Sequence, residues 1–234
     1  MPQGAAWERE YRHPQLVSLE PGMQADVKRF LVFLKKEKGR AITGWDVLDL
    51  GCGTGRNANA LAEAGNRVTG IDIAPTAIRL AQTRARAAEL TVDYRVGDIS
   101  ASFPFADVSF DLVLDVTSSN ALSNTERTVF LKELWRVLRP GGFVFVRALC
   151  KEGDKHAKTL VRERPGPEPD TYRLPGLDLT ERVFTEADFR KNYAAFTIRS
   201  LQKKANYARF GGRSYKRQYW LACLQKPGHA RKDL

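Results

Sequence analysis

The sequence of 234 residues predicts an α/β fold: a doubly wound sheet, mostly parallel, with an antiparallel strand near the C-terminus. Three observations predict it. Short aliphatic runs alternate with segments of helical period from Val47 to Ala148, the pattern of repeated βα units with parallel strands. A turn with glycines at alternate positions, Gly51-Cys52-Gly53-Thr54-Gly55, joins the first run to its helix. After Ala148 the alternation stops, and two long strand-like runs flank Gly211-Gly212, as in a hairpin.

Residues 1–44 read as an N-terminal arm and an amphipathic helix, and 45–234 as the main domain. Prolines and a glycine interrupt residues 1–23, which predicts an irregular arm with a helical turn around Trp7 to Tyr11. Val27, Phe30, Leu31 and Leu34 recur at i, i+3, i+4, i+7 and predict a helix over 24–38, with Lys35, Lys36 and Lys38 at its end. Strands are expected at 47–50, 67–71, 92–96, 110–114 and 143–148. Pro75 opens a helix reaching about 88, since proline suits a first turn. Ser123-Asn124-Thr125-Glu126 has the form of a capping box for a helix to about 138, stopped by Pro140-Gly141-Gly142. Thr185-Glu186-Ala187-Asp188 is a second such signal. Residues 149–184 are rich in charge, Pro and Gly and too long for an ordinary connection, which predicts a functional insertion or lid. Strands over about 197–207 and 216–224 complete a basic hairpin.

The glycine turn carries the chemistry. A βα turn leaves free N–H groups and a helix N-terminus at the carboxyl end of a parallel strand, where open α/β sheets bind ligands. The dinucleotide pattern G-x-G-x-x-G needs glycine at 56, and that residue is Arg56. Asp49, inside the strand, would repel a pyrophosphate but suits an ammonium group. Asp72 ends the second strand, where a carboxylate can accept from both hydroxyls of a ribose. Together these features fit a nucleoside attached to an amino acid.

Val47-Leu48-Asp49-Leu50-Gly51-Cys52-Gly53-Thr54-Gly55, followed by Gly70-Ile71-Asp72-Ile73, resembles the class I S-adenosylmethionine-dependent methyltransferases. Gly97-Asp98-Ile99, Phe110 to Asp115 and Leu138-Arg139-Pro140-Gly141-Gly142 agree in order and spacing. The resemblance covers about 45–148 and implies a Rossmann-like fold, S-adenosyl-L-methionine as cofactor and methyl transfer as reaction. It further implies that Gly51, Cys52, Gly53 and Gly55 wrap the amino-acid part and that Asp49 orients its ammonium. Asp72 would hold the ribose, Asp98 the adenine amino group, Ile99 the ring through its N–H, and Ile73 would pack on a ring face. Cys52 reads as a small loop residue rather than a nucleophile. Class I enzymes often cover the cofactor or substrate with an N-terminal arm; Trp7 and Tyr11 suit that role, or serve only to anchor the arm.

The sulfonium methyl group is already activated, so the enzyme mainly aligns a nucleophile and excludes water. Asp115 ends the fourth strand near the reacting methyl and is a candidate catalytic and cofactor-binding residue; Asn120 could help orient an acceptor, or belong to a polar turn. His156, just past the fifth strand, is the best-placed histidine for a general base, ahead of His13 and His229. The run Asp115-Val116-Thr117-Ser118-Ser119-Asn120 departs from the Asn/Asp-Pro-Pro-aromatic motif of enzymes that methylate nucleobase amino groups.

Composition bounds the partners. A hydrophobic fraction of 43% is that of a globular chain. Cys52, Cys150 and Cys223 match neither a disulfide framework nor a zinc spacing, and the histidines add no metal spacing, so a reducing, cytoplasmic setting without metal is expected. No signal-like N-terminus, no membrane-spanning apolar run and no C-terminal retention signal is read. The net charge is +11, and residues 151–234 hold 19 bases against 10 acids. Arg199, Lys203, Lys204, Arg209, Arg213, Lys216 and Arg217 interleave with Tyr207, Phe210, Tyr215, Tyr219 and Trp220. Bases with aromatics can hold phosphates and stack bases, or form a solvated face and core. A small-molecule acceptor, anionic in view of the charge, is the leading reading, without DNA or membrane. An RNA or ribosomal-protein methyltransferase is the second, and a non-enzymatic nucleoside-binding regulator the third. Aminopropyl transferases share the fold but would want a more acidic pocket.

Overall fold

The computed structural model describes residues 3–17, 19–210 and 212–228. Gly211, His229 and the four terminal residues considered above lie outside them. In chain order the elements are α1 (Gly4–Arg12), α2 (Ala25–Lys38), β1 (Asp46–Leu50), α3 (Arg56–Glu63), β2 (Arg67–Asp72), α4 (Pro75–Ala87), β3 (Asp93–Val96), β4 (Phe110–Val116), α5 (Asn124–Val137), β5 (Leu138–Leu149), α6 (Lys155–Glu163), β6 (Thr171–Arg173), β7 (Thr180–Arg182), α7 (Glu186–Asn192), β8 (Thr197–Phe210) and β9 (Arg213–Gln225).

Seven strands form one sheet in the order β3-β2-β1-β4-β5-β9-β8. The first five are parallel, and β9 runs antiparallel to both β5 and β8. The order reverses between β1 and β4, so a crevice opens outside their carboxyl ends, the usual ligand position of such sheets. Strand alternation divides the core. Val47, Leu112, Leu114 and Phe145 face α2, α3 and α4, where Phe30 stacks on Phe145 at 4.7 Å. Leu48, Leu50, Val113, Val144 and Val146 face α5 and α7. The capping box of α5 is formed: Ser123 Oγ accepts from Glu126 N–H while the Glu126 carboxylate accepts from Ser123 N–H.

The arm differs from expectation. Its helical part is longer than one turn, α1 running over nine residues because Pro14 and Pro21 lie beyond its end, while residues 13–17 and 19–23 are irregular as expected. Glu8 docks it by accepting from the N–H and hydroxyl of Thr76, at 3.0 and 2.7 Å, in the first turn of α4. Pro140-Gly141-Gly142 also behaves differently. Leu138 already pairs with Phe110, the next pair is Leu112 with Phe143, and the Pro-Gly-Gly run is a bulge inside β5.

Residues 149–184 carry α6, β6 and β7 and join both cores of the sheet, Tyr172, Leu179 and Val183 on the α2 side and Phe184 on the α5 side. Polar bonds tie them to the hairpin. Arg217 donates to Asp154 and to Tyr172 Oη, each at 2.8 Å, and Tyr172 donates to Glu181 at 2.7 Å. Asp154 also caps α6 by accepting from Ala157 N–H.

Candidate active site

The glycine turn leaves β1 in the left-handed region, with φ of +65° at Gly51 and +55° at Gly53. Backbone freedom is needed there for a second reason. A Cβ on Gly51 would lie 2.3 Å from Ser118 Cβ, and one on Gly53 would lie 2.8 Å from Tyr11 Oη. The turn is thus pressed between the end of β4 and the arm. Gly53 N–H donates to Asp72 and Ala74 N–H donates to its other oxygen, both at 2.9 Å. Burial nevertheless pushes the Asp72 carboxyl up to about 6. Asp49 lies beneath the turn, fully buried, with Oδ2 lacking any partner among the described residues. Burial, and then the nearby Asp72 charge, push it up to about 7.

A cavity opens beside these groups. Gly51, Asp72, Ile73, Gly97, Asp98 and Ile99 line it from the strand ends, Thr117 and Ser118 from the turn after β4, and Gln3, Trp7 and Tyr11 from α1. Asp98 accepts from Ser100 N–H at 2.7 Å and keeps its turn closed. Of the residues expected along the cofactor, Gly51, Asp72, Ile73, Asp98 and Ile99 line this cavity, whereas Asp49 and Gly55 lie behind it and Gly53 opens on the neighbouring cavity described next. Cys52 buries its thiol against Gly70, and burial raises its pKa, which leaves it no nucleophile.

A second cavity continues the first. Both are lined by Trp7, Tyr11, Val17, Gly51, Val116 and Thr117. The second extends over Arg147 and Leu149 of β5 to Asn206, Tyr207, Arg217 and Tyr219 of the hairpin. Thr117, at the junction, holds a non-glycine φ of +65°, a strained conformation of the kind that gathers at functional sites. Its N–H donates to the Arg147 carbonyl at 2.8 Å.

Neither residue expected to act on the acceptor reaches these cavities. Asp115 is completely buried on the α5 face of β4, where one oxygen accepts from Ser118 Oγ and Ser119 N–H. Strand alternation turned it away: Val116, the next residue, is the one that lines the cavity. His156 stacks on Tyr215 at 4.0 Å in an apolar recess with Leu160 and Leu174. Burial and the Arg217 charge lower its pKa and keep it neutral there. Asn120 is buried as well, and His13 is exposed at the end of α1. Sequence reasoning missed Arg147 and Thr117. Arg147 had a signal, a lone charge in the apolar run Phe143 to Leu149; Thr117 had none.

Comparison with known proteins decides the family. Residues 47–142 match the family model of a methyltransferase domain. The solved structure of a SAM-dependent methyltransferase from Methanosarcina mazei superposes with a TM-score of 0.74 at 25% identity, over 89% of this chain and 100% of that one. Residues 47–142 form a methyltransferase domain of the class I S-adenosylmethionine-dependent kind. Demethylmenaquinone methyltransferase of Tropheryma whipplei is 40% identical over 104 residues, 44% of this chain and 41% of that protein. The 2-methyl-6-phytyl-1,4-hydroquinone methyltransferase of Synechocystis is 37% identical over 124 residues, 52% of this chain and 37% of that protein. The matched stretch is therefore less than half the length of either relative.

The crevice fits the cofactor of this methyltransferase domain on its own geometry. A buried carboxylate oxygen at Asp49 without a partner among the described residues suits an ammonium, and the carboxylates of Asp72 and Asp98 line the crevice itself. No helix among the described residues is long and apolar enough to cross a membrane.

Proposed function

We propose that this protein transfers the methyl group of S-adenosylmethionine to a small molecule bound in the second cavity. The observation that carries the reading is the continuity of the two cavities through Trp7, Tyr11, Gly51 and Thr117. A cofactor in the first would point its methyl through that junction.

When bound, the cofactor supplies an already activated methyl group. The chain's part is to hold and align. Asp49 takes the ammonium, Asp72 the ribose hydroxyls, and Asp98 the adenine amino group, with Ile73 and Ile99 on the ring. Trp7 and Tyr11 close the junction against water, which strengthens these polar contacts. Among the described residues no histidine lines either cavity. The acceptor best served is one whose nucleophilic atom is already ionised or carries a free lone pair. The names of the relatives, a menaquinone-forming and a hydroquinone-methylating enzyme, support a small ring as acceptor. The three free buried cysteines support a cytoplasmic setting.

RNA or ribosomal-protein methylation is the second reading, favoured by the exposed Tyr207 beside exposed Lys203, Arg213 and Lys216 on the hairpin. A turnover assay with methyl-labelled cofactor across metabolite pools, total RNA and protein extracts separates the readings. Label in the small-molecule fraction is expected; label confined to RNA or protein would replace the first reading with the second.

A further inference from the structure

We propose that the second cavity selects an aromatic acceptor bearing a carboxylate, and that Arg147 is the residue that recognises that carboxylate. The inference rests on the methyltransferase reading and deepens it.

Arg147 sits within β5 between apolar neighbours and is only 7% exposed. Its Nε donates to Asp26 Oδ2 at 3.1 Å. The other oxygen of Asp26 is taken by Arg29. One carboxylate thus serves two guanidinium groups. The terminal nitrogens of Arg147 make no hydrogen bond to the described residues, and the side chain lines the second cavity. A buried guanidinium that shares its one counterion with a second arginine is only partly compensated, and an incoming anion relieves that cost.

Two acids, Glu20 and Glu181, line the same cavity, and Glu20 acts on Arg56. Glu181 accepts from Tyr172 and faces Arg217. Arg56 opens on the same cavity, and burial, then the Arg84 and Arg147 charges, lower its pKa against the pull of Glu20. Arg56 and Arg147 thus line one cavity, and the charge of Arg147 is felt at Arg56, so a carboxylate there can meet both. The planar guanidinium offers two parallel N–H groups to a carboxylate. It lies 3.5 Å above the ring of Tyr219, and Trp7 and Tyr207 line the same wall, which suits a flat ring. Gly51 to Thr54 of the glycine turn line the same cavity, so the titration below is run on the chain saturated with S-adenosylhomocysteine, which separates an acceptor's carboxylate from the cofactor's own.

The test uses the full chain saturated with S-adenosylhomocysteine and titrates benzoate, 4-hydroxybenzoate and indole-3-carboxylate against their neutral amides by calorimetry. At least one acid should bind tenfold or more tightly than its amide. Arg147→Met should bring that preference below twofold and leave S-adenosylhomocysteine affinity within twofold; Arg147→Lys should restore part of the preference. No acid outbinding its amide in the wild type overturns the inference without any variant. A variant that loses cofactor affinity and keeps the preference would also overturn it, assigning Arg147 to the cofactor's own carboxylate. Failure of the wild type to bind S-adenosylhomocysteine would overturn the methyltransferase reading itself.

Discussion

Tyr11 Oη stands 2.8 Å from where a β-carbon on Gly53 would be. The first helix and the glycine turn thus share one surface. Gly53→Ala meets that phenol and also forces a φ of +55° on alanine, which costs about 1–2 kcal/mol. The variant should melt earlier by about that amount and bind S-adenosylhomocysteine at least tenfold more weakly in calorimetry. Equal affinity would separate the arm from the cofactor.

Asp72→Ala removes an acceptor aimed at two ribose hydroxyls, so cofactor affinity should fall by roughly 1.5–3 kcal/mol. It also unpairs the N–H groups of Gly53 and Ala74. Stability should therefore fall with it, whereas an acid on a bare surface would cost neither. The wild type should bind S-adenosylmethionine and ignore NAD, because Arg56 replaces the third glycine of the dinucleotide pattern.

The two buried acids set a pH dependence. Asp49 at about 7 and Asp72 at about 6 stand above an unfolded carboxyl near 4. Between these values the folded chain holds more protons than the unfolded one. Stability of the ligand-free protein should thus fall as pH rises from about 4 to about 7. Cofactor affinity should run the other way, rising through about pH 6 to 7 as Asp49 ionises for the ammonium, by at most about tenfold per pH unit. Calorimetry from pH 5 to 8.5 checks it, and Asp49→Asn should flatten the curve.

Asp154→Ala leaves Arg217 buried without its ion-pair partner, a loss of about 3–5 kcal/mol in a urea melt. The pair is 7% and 0% exposed at its side chains, so solvent screening does not soften the effect. Adding Arg217→Met should recover part of the loss, because the stranded charge is removed.

Neutralising Lys203, Lys204, Arg213 and Lys216 together should leave turnover of a small acceptor unchanged, since none of the four lines either cavity. If RNA were bound by the hairpin, the same variant would flatten the salt dependence of binding by about 0.7 per lost phosphate contact. A filter-binding salt titration beside the turnover assay reads both.

Much of the cofactor crevice was legible in the chain because its parts are local. Gly51 to Gly55, Asp72 and Asp98 each sit at the end of a strand whose own residues declare it. Parallel pairing then brings those ends together whatever the surrounding detail. The capping signals of α5 and α7 were legible for the same reason: each is a bond between residues three apart.

Short-range pattern in the chain was enough for the order of βα units, the doubly wound sheet and the class of cofactor. The tertiary structure decided which side of each strand end faces the ligand. A period of two makes Val116 line the cavity and turns Asp115 into the core, a difference no motif carries. It also decided the partners of charges far apart in the chain. Asp26 meets Arg147 across 121 positions and Asp154 meets Arg217 across 63. Such pairs form only when packed elements bring them together, and they shape the cavity beyond the cofactor.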